Sequence, residues 1–186
     1  MKKMFGTLKV VLGIAVIAGF ITAFVVPLTY CGGVGNTHAA ADPPGQEPIV
    51  GFWKTTFTAE GNGSQGPPDG TVIDWGFQQW HSDGTEIHNT AVRPPASGDF
   101  CLGTWEIAGP LQYKLNHFST AWTPDGSAFL GVANIHESIT VSHDHNSFTG
   151  TFTIDQYNTG GNLLAHITGN VQGTRITGIT TINDVL

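Results

Sequence analysis

Hydrophobic and polar positions alternate along most of the chain beyond residue 48. The cleanest case is Ser147 to Ile154, where Phe148, Gly150, Phe152 and Ile154 fall on one side and Ser147, Thr149, Thr151 and Thr153 on the other. A period of two is the mark of a half-buried β-strand. The same pattern predicts a first strand through Ile49 to Phe57, with Gly51, Trp53, Thr55 and Phe57 on one face. Thr71 to His81 and Thr85 to Thr90 read as a hairpin about Ser82-Asp83-Gly84, and both faces of its first arm carry aromatic residues. Phe100 to Ala108, Leu111 to Trp122, Ser127 to Val141 and Leu163 to Ile176 supply further strands, and the tail from Thr177 to Leu186 is expected to add a short one. Gly109-Pro110, Thr123-Pro124-Asp125-Gly126, Ser142 to Asn146 and Asn158 to Asn162 punctuate them as turns.

Roughly eight sequential strands joined by short turns predict an all-β domain, an up-and-down antiparallel barrel. Closure removes both free edges. A barrel of about eight strands leaves an interior wide enough for side chains or one small ligand. Inward glycines (Gly131, Gly150 and Gly169) are expected to let the wall bend and to leave room inside. Glu60 to Gly70, polar and without a hydrophobic anchor, reads as a loop that could serve as a lid.

Composition changes the picture at the N-terminus. Lys2, Lys3 and Lys9 precede or begin an uncharged apolar run, Val10 to Val26, and Ala39-Ala40-Ala41 has the small side chains a signal peptidase accepts. Residues 1–41 are therefore read as a signal peptide or membrane anchor, 42–48 as a proline-rich linker, and 49–186 as the barrel domain. Cleavage after Ala41, retention of an uncleaved anchor and lipidation at Cys31 are the alternatives. Each places the domain outside the cytoplasm, and membrane contact is expected only through the N-terminal segment. Four of the seven Lys and Arg lie beyond residue 41 against all fourteen acidic residues, a formal charge of 4 − 14 = −10 with histidine neutral. Such a surface repels phosphate backbones, so nucleic acid is not an expected partner. Cys101 is the single cysteine beyond the leader, flanked by Phe100 and Leu102, and is expected to be buried and inert.

The Gly51-x-Trp53 motif on the first strand and the lone Arg175 on the last resemble the signature of the calycins, the lipocalin-like barrels. Thr153-Ile154-Asp155-Gln156-Tyr157 is similar to a second lipocalin block, while Phe148-Thr149-Gly150 and Gly173-Thr174-Arg175-Ile176 resemble small bacterial barrels of the allene oxide cyclase-like group. The resemblance implies a small apolar ligand inside the barrel and makes Trp53 and Arg175 closure residues. Arg175 on the last strand is expected to lie across the Trp53 indole on the first.

Trp75, Phe77, Tyr113, Leu115, His117, Phe129, Phe148 and Phe152 form the candidate ligand wall. Tyr113, His117 and Glu137 are the candidate catalytic set, since a carboxyl in an apolar interior has its pKa raised and can exchange protons with an imidazole. No nucleophile elbow, phosphate loop or CxxCH haem motif is present, and no cofactor is expected. His143-Asp144-His145 has metal-ligand residue types but sits in a turn next to Asn146, so no metal is assigned. Three functions remain open: an exported barrel that binds a small hydrophobic molecule, a cofactor-free isomerase, cyclase or hydratase for a lipophilic substrate, and a cell-surface domain whose barrel is filled by its own side chains.

Overall fold

A computed structural model describes residues 46–186, so the expectations for the leader, its cleavage and most of the linker lie outside the described residues. The described chain is an eight-stranded barrel, closed in sequential order: β1 (Gly51–Ala59), β2 (Val72–Trp80), β3 (Thr85–Thr90), β4 (Phe100–Gly109), β5 (Gln112–Trp122), β6 (Phe129–Val141), β7 (Ser147–Asn158) and β8 (Leu163–Ile176). Every neighbouring pair is antiparallel, and β1 pairs with β8 from Phe52↔Ile176 to Ala59↔Gly169. The all-β, up-and-down barrel expected from the alternation is what forms. The tail differs: in place of a strand it makes a turn and one short helix, α1 (Ile182–Val185), started by a capping box between Thr181 and Asp184.

One end of this barrel is plugged. Trp53, Trp80, Tyr113, Leu115, Ile139, Val141, Phe148 and Phe152 form a continuous buried cluster there, with Trp105 packed against it. Trp105 lies 6.0 Å from Trp80 and 5.7 Å from Tyr113, and Phe148 meets the Trp53 indole edge-on at 5.1 Å. Two of the glycines of the wall stand under these rings. A Cβ at Gly173 would come within 2.1 Å of the Phe148 ring and one at Gly169 within 2.7 Å of Phe152. At this end the room left by glycine is taken up by aromatic side chains.

The segment before β1 crosses the plugged end. Tyr113 on β5 donates its hydroxyl hydrogen bond to Glu47 at 2.9 Å, while Arg175 on β8 donates to the carbonyls of Pro48 and Val50. Strands β5 and β8 are three apart around the barrel, so residues 47–50 bridge the opening, with Ile49 fully buried beneath. Glu47 and Pro48, read from sequence as linker, are thus tied to the barrel. The Arg175 guanidinium lies 4.2 Å from the Trp53 ring centroid, and Trp53 Nε1 donates to Ile49 O at 2.8 Å. This geometry explains the first glycine of the Gly-x-Trp motif. Gly51 has φ +146, and a Cβ there would meet the guanidinium at 2.4 Å.

Gly131, in β6, marks a second close approach. Its φ is +142, and a Cβ would fall 1.9 Å from the Tyr157 carbonyl oxygen on β7. Gly131→Ala is expected to cost about 1–3 kcal/mol from backbone conformation alone, read as a lower midpoint in urea unfolding. An unchanged midpoint would mean that Gly131 does not hold this backbone conformation.

Candidate functional site

Above the aromatic plug the barrel interior turns polar. Its inward residues there include Thr55 from β1, Asp74 and Gln78 from β2, Glu86, His88 and Thr90 from β3, His117 and Ser119 from β5 and Glu137 from β6; apart from Asp74 all are buried. They share the interior because the strand pleat sends alternate side chains inward, and on β3 the inward set is the polar one. Ile87, between Glu86 and His88, points out and is 38% exposed.

Two hydrogen-bonded groups make up this layer. In the first, His117 Nδ1 lies 3.0 Å from Glu86 Oε2, its Nε2 lies 3.6 Å from Glu137 Oε1, and Gln78 Nε2 donates to Glu137 Oε1 at 3.0 Å. Removal from water disfavours every charge here. Burial pushes the Glu86 carboxyl up to about 8 and the Glu137 carboxyl up to about 7, and it lowers the His117 imidazole to about 4. Near neutral pH the imidazole is thus neutral, the Glu86 carboxyl mostly protonated and the Glu137 carboxyl close to its midpoint. Gln78 Oε1, Glu86 Oε1, His117 Nε2 and Glu137 Oε2 have no hydrogen-bond partner.

The second group faces a cavity. Asp74 accepts a short hydrogen bond from the Thr90 hydroxyl on Oδ1, and its Oδ2 lies 3.5 Å from His88 Nε2. His88 Nδ1 lies 3.4 Å from Thr55 Oγ1 and its ring meets Phe57 edge-on at 5.4 Å. The cavity above is about 40 Å³ and is bounded by Phe57, Asp74, His88, Thr90, Cys101, His117, Ser119, Ala133, Ile135 and Ile154, with Arg93 of the β3–β4 loop at its edge. A single water needs about 10–15 Å³ on the same measure, so the space suits a small molecule or the end of a longer one. Cys101 is buried as expected, and burial pushes its thiol up to about 12, which leaves it unreactive.

The residues expected to line a ligand site divide four ways. His117 borders the cavity. Tyr113, Leu115, Phe148 and Phe152 are buried in the plug at the other end. Trp75 and Phe77 are on the outer surface, where Lys54 lies 5.7 Å from the Trp75 ring and Phe52 packs 5.6 Å from Phe77. Phe129 is 41% exposed at the barrel mouth, against Trp122. The inward face of β2 is Asp74, Gly76, Gln78 and Trp80, which settles the strand whose two aromatic faces left the choice open.

Of the candidate catalytic set, His117 and Glu137 do come together, but both ring nitrogens of His117 are turned to buried carboxyl groups and Glu137 does not reach the cavity wall. Tyr113 bonds Glu47 instead. Asp74, Glu86 and His88 escaped the sequence reading because their partners sit on other strands; the available signal was the polar alternation of Glu86, His88 and Thr90. His143 and His145 lie in the β6–β7 turn, where Asp144 accepts from Ser142 Oγ and Asn146 N, an ordinary turn role. Among the described residues no group of three His, Cys, Asp or Glu is placed to hold a metal ion.

The closed eight-stranded antiparallel barrel is consistent with a calycin-like fold. The chain matches no protein-family model, no curated protein and no solved structure.

Proposed function

We propose that this chain is an exported, calycin-like binding protein that takes a small, partly apolar molecule into the open half of its barrel. The observation that carries this reading is the asymmetry of the interior. One end is filled by aromatic rings, whereas the other keeps a cavity of about 40 Å³ with an apolar wall (Phe57, Ala133, Ile135, Ile154) and polar atoms at its base. Binding sites commonly combine an apolar lining with a few converging polar groups. The enzyme alternative has less support, because both His117 ring nitrogens face the buried Glu86 and Glu137 carboxyl groups and Glu137 does not border the cavity. Export rests on the basic, apolar leader.

Extraction and mass spectrometry of the purified full chain test the reading. A small organic molecule is expected to co-purify in stoichiometric amount. Ala133→Leu, which fills the cavity from a wall position that is buried, is expected to lower its retention at least about tenfold with the β-sheet circular dichroism preserved. Equal retention by the variant, or none by the wild-type chain, would favour a barrel filled by its own side chains.

A further inference from the structure

The cavity's polar base has a sign. Asp74 contributes a carboxylate, and its Oδ2 and His88 Nε2 face each other at 3.5 Å. His88 Nε2 has no hydrogen-bond partner although His88 is only 1% exposed. Phe57 presents an aromatic ring beside the same imidazole, and Ser119 and Thr90 add hydroxyl oxygens to the wall. Among the described residues Arg93 is the one lysine or arginine along the boundary, and it belongs to an exposed loop at the cavity's edge. Below lie two more carboxyl groups, Glu86 and Glu137, and a His117 that burial keeps uncharged. Among the described residues no buried lysine or arginine lines the cavity to pair with an anionic head such as a fatty-acid carboxylate, which would go unpaired at high cost.

We infer that the ligand carries a basic nitrogen, and that a primary ammonium or amidinium head enters the cavity first and donates to Asp74 Oδ2 and His88 Nε2. This inference rests on the binding reading above and adds the chemical class of the ligand. When Thr55 holds His88 with its proton on Nδ1, Nε2 is an acceptor, and a head with two or more N–H groups spans the imidazole and the carboxylate together. Charge-assisted hydrogen bonds of this kind are about twice as strong as neutral ones. The Phe57 ring adds apolar contact from the cavity wall. The apolar body then lies along Ala133, Ile135 and Ile154. The formal charge of −10 beyond the leader would also draw cations toward the domain.

Three probes of one shape separate the possibilities: n-butylammonium, 1-butanol and butanoate, titrated into the full chain near neutral pH and followed by isothermal titration calorimetry. The ammonium is expected to bind at least about tenfold more tightly than the alcohol, and butanoate more weakly than both. Asp74→Asn, which keeps the size of the side chain, is expected to erase the preference for ammonium over alcohol while alcohol binding persists. That pattern excludes general attraction to an acidic surface, which the variant would leave in place. The comparison of probes on the wild-type chain needs no variant and stands if Asp74→Asn does not fold. Butanol or butanoate binding as tightly as the ammonium would overturn the inference and leave the binding reading intact. An ammonium preference that survives in folded Asp74→Asn would likewise overturn it. Binding by none of the three would overturn both.

Discussion

Trp53→Ala is expected to lower the unfolding free energy by about 3–5 kcal/mol, the usual cost of deleting a large buried aromatic side chain. The indole is fully buried, packs edge-on against Phe148 and ties the crossing segment to β1 through Ile49. Its loss also removes the surface that the Arg175 guanidinium covers at 4.2 Å. Arg175 makes several polar contacts as well, to His145, Val50 and Pro48, so Arg175→Met should retain part of the packing and lose the bonds that hold residues 48–50 across the plugged end. Denaturant titration of both variants measures the effect. A Trp53→Ala loss below about 1 kcal/mol would mean that this end is closed by something other than the indole and its cover.

The second large effect is a decline in stability with rising pH. In the folded chain Glu86 and Glu137 hold their protons up to about 8 and about 7, against a usual value of 4.5. The folded state therefore binds more protons than the unfolded chain above about 4.5, and stability falls as pH rises toward those values. His117 opposes this, because the unfolded imidazole protonates near 6.5 and the folded one only near 4. Between 4.5 and 6.5 two losses outweigh one gain; just above 6.5 the carboxyl groups act alone and the slope steepens. The total from pH 4.5 to 8 is of the order of 3–5 kcal/mol. Glu86→Gln is expected to flatten most of the profile, since the remaining contributions of Glu137 and His117 have opposite sign over much of the range. Urea midpoints at several pH values check this. A wild-type midpoint that rises steadily from acid to neutral pH would place these carboxyl groups in water.

Where local alternation and local turn chemistry set the structure, the sequence was sufficient. β7 shows Phe148 and Phe152 inward and its threonines outward, and the Ser82-Asp83-Gly84 turn forms where expected, with His81 N donating to Thr85 O at 2.9 Å. The pairing of Trp53 with Arg175 was legible because arginine is scarce in the chain and Gly51-x-Trp53 with a lone Arg175 on the last strand resembles the calycin closure. The β2 strand was not. Aromatic residues on both faces left its inward side open and the candidate ligand wall took Trp75 and Phe77, yet Gln78 is the buried residue, stabilised by a hydrogen bond to Glu137, 59 positions away. A long-range polar partner leaves no mark on a local pattern, and the same holds for His88 with Asp74 and for Glu86 with His117. The pocket wall was misplaced for a related reason. Aromatic residues mark where a barrel is full, and this cavity lies where the inward side chains become small or polar, at Ala133, Ser119 and Thr90.

A methyl-resolved NMR titration of the full chain with n-butylammonium tests the central account most directly. The cavity account predicts shifts at Ala133, Ile135 and Ile154, which border the open half, and none at Ile139 and Val141 in the plug. Shifts confined to outward residues such as Ile87 and Leu102, or no shifts at all, would contradict it.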